Sequence, residues 1–285
     1  MPQELTESET SRTVQTKDWK IHYNEAGEGS VVLFLHGSGP GATGWSNFAP
    51  NLVSLAGKYR VIAADLPGWG KSDPETPADR NHVEAVLQLL DALKIERAAI
   101  VGNSMGGHTG LCFAMAYPDR VSHLVTMGVP LGLGPLLFTP RGGLSEGLKV
   151  LVKAYRDPSP ETMRELVEIM TYDHTFATDE LVTQRSSAAR VRPDHLANYL
   201  SATPGSKARP VPLLDIAKIA EISAPTLIFH GRDDRVNHFE NSLWLASAIP
   251  DARMVLINRC GHWLQLEHAD EFNRIVADFV GSAGR

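Results

Sequence analysis

Six short runs of apolar, largely β-branched residues punctuate the chain: Val31 to Leu35, Val61 to Ala64, Ala98 to Val101, Leu124 to Met127, Thr226 to His230 and Met254 to Ile257. They are too short for buried helices and show no polar alternation, and most run straight into Gly or Asp, so they read as parallel strands covered on both faces. Between them apolar positions recur at helical spacing, as in His82 to Leu93 before the third run and His108 to Ala116 after it, with a last helix from about Glu267 to Val280. Strand and helix alternate, which predicts an α/β fold with a mostly parallel sheet flanked by helices.

The alternation stops between about Leu131 and Val211. Strand-like runs vanish there, and helix-forming stretches (Ser145 to Tyr155, Pro160 to Met170) follow one another between two Pro- and Gly-rich edges, GVPLGLGP and ATPGSKARPVP. The pattern predicts a core of residues 1–130 and 211–285 with an inserted helical lid at 131–210.

Composition narrows the function. The 285 residues are 43% hydrophobic and 21% charged, enough apolar material for a buried core and too little charge for a disordered chain. A net charge of −6 without a basic run argues against nucleic acid as a partner. The first twenty residues mix acids, bases and hydroxyls and contain no apolar stretch, so neither secretion nor membrane attachment is expected. Cys112 and Cys260 form no metal-binding pair and no disulfide framework, and both are expected as free thiols in a cytoplasmic protein.

The sharpest local feature is Gly102-Asn103-Ser104-Met105-Gly106, directly after one predicted strand and directly before a helix. That is the context of a nucleophile elbow, a turn so tight that only glycine fits on either side and the serine hydroxyl is left exposed. A serine hydroxyl needs a base to take its proton and a carboxylate to orient the base. Candidates follow in the order found in α/β-hydrolases: Asp233 and Asp234 after the Thr226 strand, and His262 after the Met254 strand. Both loops lie past a strand's C-terminal end, where parallel sheets bind ligands. An oxyanion hole would take one backbone N–H from Met105 and one from the loop His36-Gly37-Ser38-Gly39-Pro40-Gly41, with Ser38 as the choice. That loop lacks both the Rossmann glycine spacing and the Lys-Ser/Thr ending of a phosphate loop, so no nucleotide, other cofactor or metal is expected. His36 reads as a brace for this loop, His108 as a packing residue and Asp65 as a carboxylate that holds loops together.

HGSGPGATGWSNF, GNSMGG, GRDDRVN and CGHWLQLEHADEFNR, with YDHTFATDELVTQR in the lid, resemble the meta-cleavage product hydrolases, a branch of the α/β-hydrolases, over most of the chain. Those enzymes cleave a carbon–carbon bond in dienols made when dioxygenases open catechols. The resemblance implies an α/β-hydrolase fold, Ser104 as nucleophile, His262 as base and acid, and Asp234 as the orienting carboxylate with Asp233 its exposed neighbour. It further implies that Gly39, Asn47, Asn103, Arg185 and Trp263 line the polar end of the pocket, with Arg185 gripping a substrate carboxylate. A small-molecule dienoate partner and a homodimer or higher homo-oligomer go with the family. Two positions depart from the pattern: His238, where proline is usual, and His108, where a small residue is usual. The apolar end, between about Leu133 and Tyr172, is where members of the family differ. A carboxylesterase or lactonase with the same triad is the competing reading, and a non-catalytic ligand receptor on this fold a more distant one.

Overall fold

The computed structural model describes residues 5–132, 143–202 and 214–282. Eight strands, β1 (Ser11–Gln15), β2 (Lys20–Ala26), β3 (Val31–Leu35), β4 (Arg60–Ala64), β5 (Ala98–Asn103), β6 (Val121–Met127), β7 (Thr226–Gly231) and β8 (Ala252–Ile257), form one sheet in the order β1-β2-β4-β3-β5-β6-β7-β8. From β4 to β8 every pairing is parallel; β1 and β2 form an antiparallel hairpin at the edge. The helices are α1 (Glu7–Thr10), α2 (Gly44–Leu55), α3 (His82–Ala92), α4 (Met105–Ala116), α5 (Glu146–Arg156), α6 (Pro160–Met170), α7 (Asp179–Arg190), α8 (Pro193–Ser201), α9 (Glu240–Ala248), α10 (Leu264–Glu267) and α11 (Ala269–Gly281). Among the described residues no helix is long and apolar enough to cross a membrane.

The six expected strands are present, and the sheet is mostly parallel as predicted. The hairpin was not expected, because SRTVQ and KIHYNEA contain no apolar run. In β2 burial falls on polar residues with internal partners: His22 faces Asp65, and Asn24 donates to the Glu7 carbonyl and to Thr10. At the other edge β8 is half-exposed rather than buried on both faces, since no strand follows it in the sheet. The predicted last helix is two, α10 and α11, separated by His268 in a non-helical conformation (φ −122°, ψ 45°).

Alternate residues of the central strands divide the core. Val32, Phe34, Val61, Val101 and Phe229 pack with Phe48 and Leu52 of α2 and Phe272 and Val276 of α11. Leu33, Leu35, Ile62, Ile100 and Ile228 face the other way, in one cluster with Leu89 of α3, Leu111 of α4 and Leu245 of α9. Helices α5 to α8 lie in sequence between β6 and β7, and Tyr155, Met163, Val182 and Tyr199 continue this second cluster. The flanking stretches 133–142 and 203–213, which carry the end of the first Pro- and Gly-rich edge, nearly all of the second and part of the expected apolar pocket end, lie outside the described residues.

Asp65, at the end of β4, holds together the loops that frame the top of the sheet. Its Oδ1 accepts from the Gly44 N–H at 2.7 Å, where α2 begins; its Oδ2 accepts from the Lys71 N–H at 3.0 Å and meets His22 Nδ1 at 2.8 Å. The carboxylate is fully buried. Asp65→Ala strands two backbone donors and an imidazole, and should cost about 3 to 5 kcal/mol of stability. Urea denaturation checks this: a midpoint unchanged from wild type would show that the loops hold without it.

Candidate active site

The turn at Ser104 follows from contacts that exclude side chains. A Cβ on Gly102 would lie 2.3 Å from the Gly106 carbonyl carbon, and one on Gly106 would lie 2.0 Å from the Leu35 carbonyl oxygen. Strand β5 and helix α4 therefore meet backbone to backbone. Ser104 between them takes φ 53° and ψ −113°, a conformation that L-residues rarely adopt and that functional turns retain. Its N–H donates to the Met127 carbonyl at 2.8 Å, and its own carbonyl accepts the His108 N–H at 2.9 Å, which starts α4.

The loop after β7 presents Asp234. Its Oδ1 accepts the N–H groups of Val236 (2.7 Å) and Asn237 (3.0 Å), and its Oδ2 accepts from His262 Nδ1 at 2.7 Å. Burial alone would raise this carboxyl's pKa, but the facing imidazoles of His262 and His230, with their hydrogen bonds, hold it well below the usual carboxylate range. It stays ionised and fixes His262 with its proton on Nδ1, so Nε2 is the ring's acceptor. Asp233 is half-buried rather than exposed, with Oδ2 enclosed and without a partner among the described residues.

His262 is attached to the helices inserted between β6 and β7 as well as to the core. The carbonyl of Met170, at the end of α6, accepts the N–H groups of both His262 (2.7 Å) and Trp263 (3.1 Å). Glu267 completes the join, taking the Gly261 N–H on one oxygen and the Tyr172 and Asp173 N–H groups on the other. Asn103 links the elbow to this loop by donating to the His262 carbonyl at 3.2 Å. Gly128, at φ +58°, passes so close that a Cβ would lie 2.9 Å from the His262 ring and 3.2 Å from Asp234. Ser104, Asp234 and His262 are thus brought to one place, each in a loop at the C-terminal end of a parallel strand.

The loop of residues 36–41 runs alongside. His36 is fully buried; its Nδ1 donates to the Gly37 carbonyl at 2.8 Å and its Nε2 accepts the Leu66 N–H at 3.0 Å. It is a brace, as its sequence context suggested, and burial lowers its pKa to about 4. Ser38 and Gly39 are half-buried, and a Cβ on Gly39 would meet nothing within 4 Å. Met105 is the first residue of α4.

Arg185 of α7 is 2% exposed. Its guanidinium carbon lies 4.0 Å over the Trp263 ring, one terminal nitrogen makes a long 3.4 Å bond to the Ser46 carbonyl, and its buried Nε has no partner among the described residues. Burial lowers its pKa to about 10, so it is a cation at neutral pH, and among the described residues no carboxylate pairs with it. Asn47 is buried nearby on α2, its amide nitrogen occupied by the Thr43 carbonyl and Ser46 Oγ. A cavity of about 250 Å³ opens between α7 and the core; Thr43, Ser46, Trp69, Arg185 and His195 line it, whereas Ser104 and His262 do not. Among the described residues no group of three His, Cys, Asp or Glu side chains is arranged to hold a metal ion. The His238 side chain sits against Glu240 and the His108 side chain against Cys112.

Comparison with known proteins agrees with this geometry. Residues 30–269 match the α/β hydrolase fold family. A 2-hydroxy-6-oxononadienedioate/2-hydroxy-6-oxononatrienedioate hydrolase of Cupriavidus pinatubonensis is 46% identical, covering 98% of each chain. A 2-hydroxy-6-oxo-6-phenylhexa-2,4-dienoate hydrolase of Comamonas testosteroni is 44% identical over 97% of this chain and 98% of that protein. Among solved structures, a meta-cleavage product hydrolase of Pseudomonas fluorescens superposes with a TM-score of 0.83 at 34% identity, over 94% of this chain and 96% of that one. The chain belongs to the meta-cleavage product hydrolases. Membership explains the order of Ser104, Asp234 and His262 along this hydrolase, but it left other residues of the site unnamed. Tyr155 and His195 reach the 36–41 loop from the lid, and His230 Nε2 lies 3.3 Å from Asp234. Nothing in the sequence marked any of the three: Tyr155 ended a helix-forming stretch, and the two histidines stood in no motif.

His36 and the lid residue His195 give the hydrolase a characteristic acid response. Burial lowers His195 to about 3, as it lowers His36 to about 4, from an ordinary 6.5. Both rings are neutral in the folded state and take up a proton on unfolding, so stability is complete above about pH 6.5 and falls as pH drops towards 4. Each contributes on the order of 3 kcal/mol to that fall. Urea midpoints measured from pH 7.5 to 4.5 should decline steadily, and a flat profile would contradict the neutral, buried assignment.

Proposed function

We propose that this hydrolase cleaves the C5–C6 bond of a 2-hydroxy-6-oxohexa-2,4-dienoate, a ring-opened product of aromatic degradation, giving a 2-hydroxypenta-2,4-dienoate and a carboxylic acid. The observation that carries the proposal is the buried Arg185 without a counter-ion. A desolvated guanidinium is costly unless a carboxylate joins it, and planar bidentate pairing suits the carboxylate at C1 of the dienoate. Asn47, its amide nitrogen already occupied, offers an acceptor suited to the 2-hydroxyl. Gly39, Asn103 and Trp263 complete the polar end, and residues 131–210 act as the lid over it. The names of the two curated relatives, both hydrolases of 2-hydroxy-6-oxo acids, support this substrate class.

In the proposed mechanism a proton moves from the 2-hydroxyl to C5, so that the fragment about to depart becomes a stabilised enolate. His262 shuttles that proton. Ser104, or a water activated by His262, then adds to the C6 carbonyl while Asp234 stabilises the imidazolium that forms. The N–H groups of Ser38 and Met105 hold the resulting oxyanion. The C5–C6 bond breaks with its electron pair leaving on the dienol fragment. Water releases the acid, directly or from an acyl-serine. The enzyme needs no cofactor in this reading, and a cytoplasmic setting and homodimeric or higher assembly accompany it on family resemblance alone.

The test compares leaving groups. A simple ester departs with oxygen and needs only nucleophile, base and oxyanion hole; a carbon leaving group also needs the carboxylate grip and the proton shuttle. The enzyme should therefore bleach the visible absorbance of dienoates with a higher kcat/KM than it shows on p-nitrophenyl esters. Brisk ester hydrolysis without turnover of methyl-, phenyl- or carboxyethyl-substituted dienoates would replace this reading with a carboxylesterase. Arg185→Gln should lower kcat/KM on dienoates by about 2 to 4 kcal/mol and leave neutral esters nearly unaffected. Equal losses on both substrates would show that Arg185 serves the fold.

A further inference from the structure

Three consecutive carbonyls of the 36–41 loop are held from three directions. The Gly37 carbonyl accepts from His36 Nδ1 at 2.8 Å, the Ser38 carbonyl accepts from the Tyr155 hydroxyl, and the Gly39 carbonyl accepts from Trp69 Nε1 at 3.3 Å. A trans peptide is rigid and its N–H points opposite to its C=O, so the first two bonds also aim the N–H that follows, whereas Pro40, after Gly39, has none. His36 thereby aims the Ser38 N–H and Tyr155 the Gly39 N–H. Two of these anchors belong to the core, whereas Tyr155 stands on the lid helix α5.

The hydrogen positions around Tyr155 follow from proton counting. The phenol has one proton, and the Ser38 carbonyl can only accept it. The Tyr155 oxygen must then accept from His195 Nε2, 3.0 Å away on the lid helix α8, which fixes that ring as the neutral Nε2–H tautomer. Burial keeps the phenol protonated and the imidazole neutral through the physiological range. Tyr199, also on α8, stacks on Tyr155 with ring centroids 3.7 Å apart and planes within 3°, and Trp69 packs on His195 at 4.4 Å. The chain His195 N–H to Tyr155 O–H to Ser38 C=O is buried, and each bond polarises the next.

We propose that Tyr155, backed by His195, is a positioning residue: by holding the Ser38 carbonyl it fixes the peptide plane after Ser38, as His36 fixes the one before it, so that the oxyanion donor at Ser38 is held from the lid as well as from the core. The inference rests on the proposed role of this loop as an oxyanion hole, and it applies to any acyl substrate of the enzyme, carbon–carbon or ester.

Tyr155→Phe removes only the hydroxyl. Its kcat should fall by about ten- to a hundredfold on both p-nitrophenyl acetate and a phenyl-substituted dienoate, with KM within about twofold. The inhibition constant of phenylboronic acid, which forms a tetrahedral anionic adduct with a serine, should rise by the same factor. The melting temperature should stay within about 4 °C of wild type. His195→Gln, which keeps a donor near the Nε2 position, should retain most of the kcat, whereas His195→Leu should resemble Tyr155→Phe. Wild-type kcat in Tyr155→Phe, or a loss expressed only in KM, overturns the proposal. Should Tyr155→Phe fail to fold, equal kcat in the two His195 variants overturns it instead. Ester hydrolysis separates this result from the substrate assignment: a fall in ester kcat in an enzyme inactive on dienoates refutes the assignment and upholds the positioning role.

Discussion

The top of the sheet is organised by the absence of side chains at one crossing. Helix α4 can begin where it does only because Gly106 lies directly against the Leu35 carbonyl and Gly102 against Gly106. That contact sets the depth at which Ser104 emerges, forces its unusual backbone angles, and brings the end of β3 beside the end of β5. The loop after β3 inherits its place from the same contact, which is why Gly37 and Ser104, far apart in sequence, come near one another: a Cβ on Gly37 would lie 3.5 Å from that of Ser104. Asp234 and His262 reach the same end of the sheet on the loops after β7 and β8.

Much of this architecture was legible from the chain because the physics is local. Continuous apolar runs can only be doubly covered strands, and G-x-S-x-G between a strand and a helix has few structural uses. Ser104, Asp234 and His262 could be placed for that reason, as could His36 and Asp65 in bracing roles. The hairpin β1–β2 was not legible, since its buried apolar residues Ile21 and Tyr23 are interleaved with buried His22 and Asn24, whose burial depends on Asp65, Glu7 and Thr10 being in place to receive them. Nor was the roll of the lid legible. Tyr155 on an amphipathic helix looks like a core aromatic, and it is one along its ring; only the hydroxyl's contact with Ser38, 117 residues away, reveals the other use. Asp233 was placed at the surface because its neighbour was given the buried partner, but a loop this short buries both in part.

Electrostatics divides the site into two regimes. At Asp234 the negative charge is fully compensated by two backbone N–H groups and by imidazole, so the carboxylate is stable without ligand. At Arg185 the compensation is incomplete: an aromatic face and one long hydrogen bond are poor substitutes for an anion. The charge at Asp234 is complete in the protein alone, whereas the one at Arg185 is the one that the proposed substrate carboxylate would complete.

The Met170 carbonyl bears on how this fold can be recombined. Because the end of α6 caps the loop that carries His262, the inserted helices are not a module resting on an independent catalytic core. A splice that exchanged the whole insertion for that of a distant α/β-hydrolase would remove the acceptor for two consecutive N–H groups next to the histidine. Grafts confined to the stretch before α6 would leave it in place. Residues 170–173 are by this logic inherited with the core although they lie within the insertion, and diversification of the pocket is channelled into the segment upstream of them.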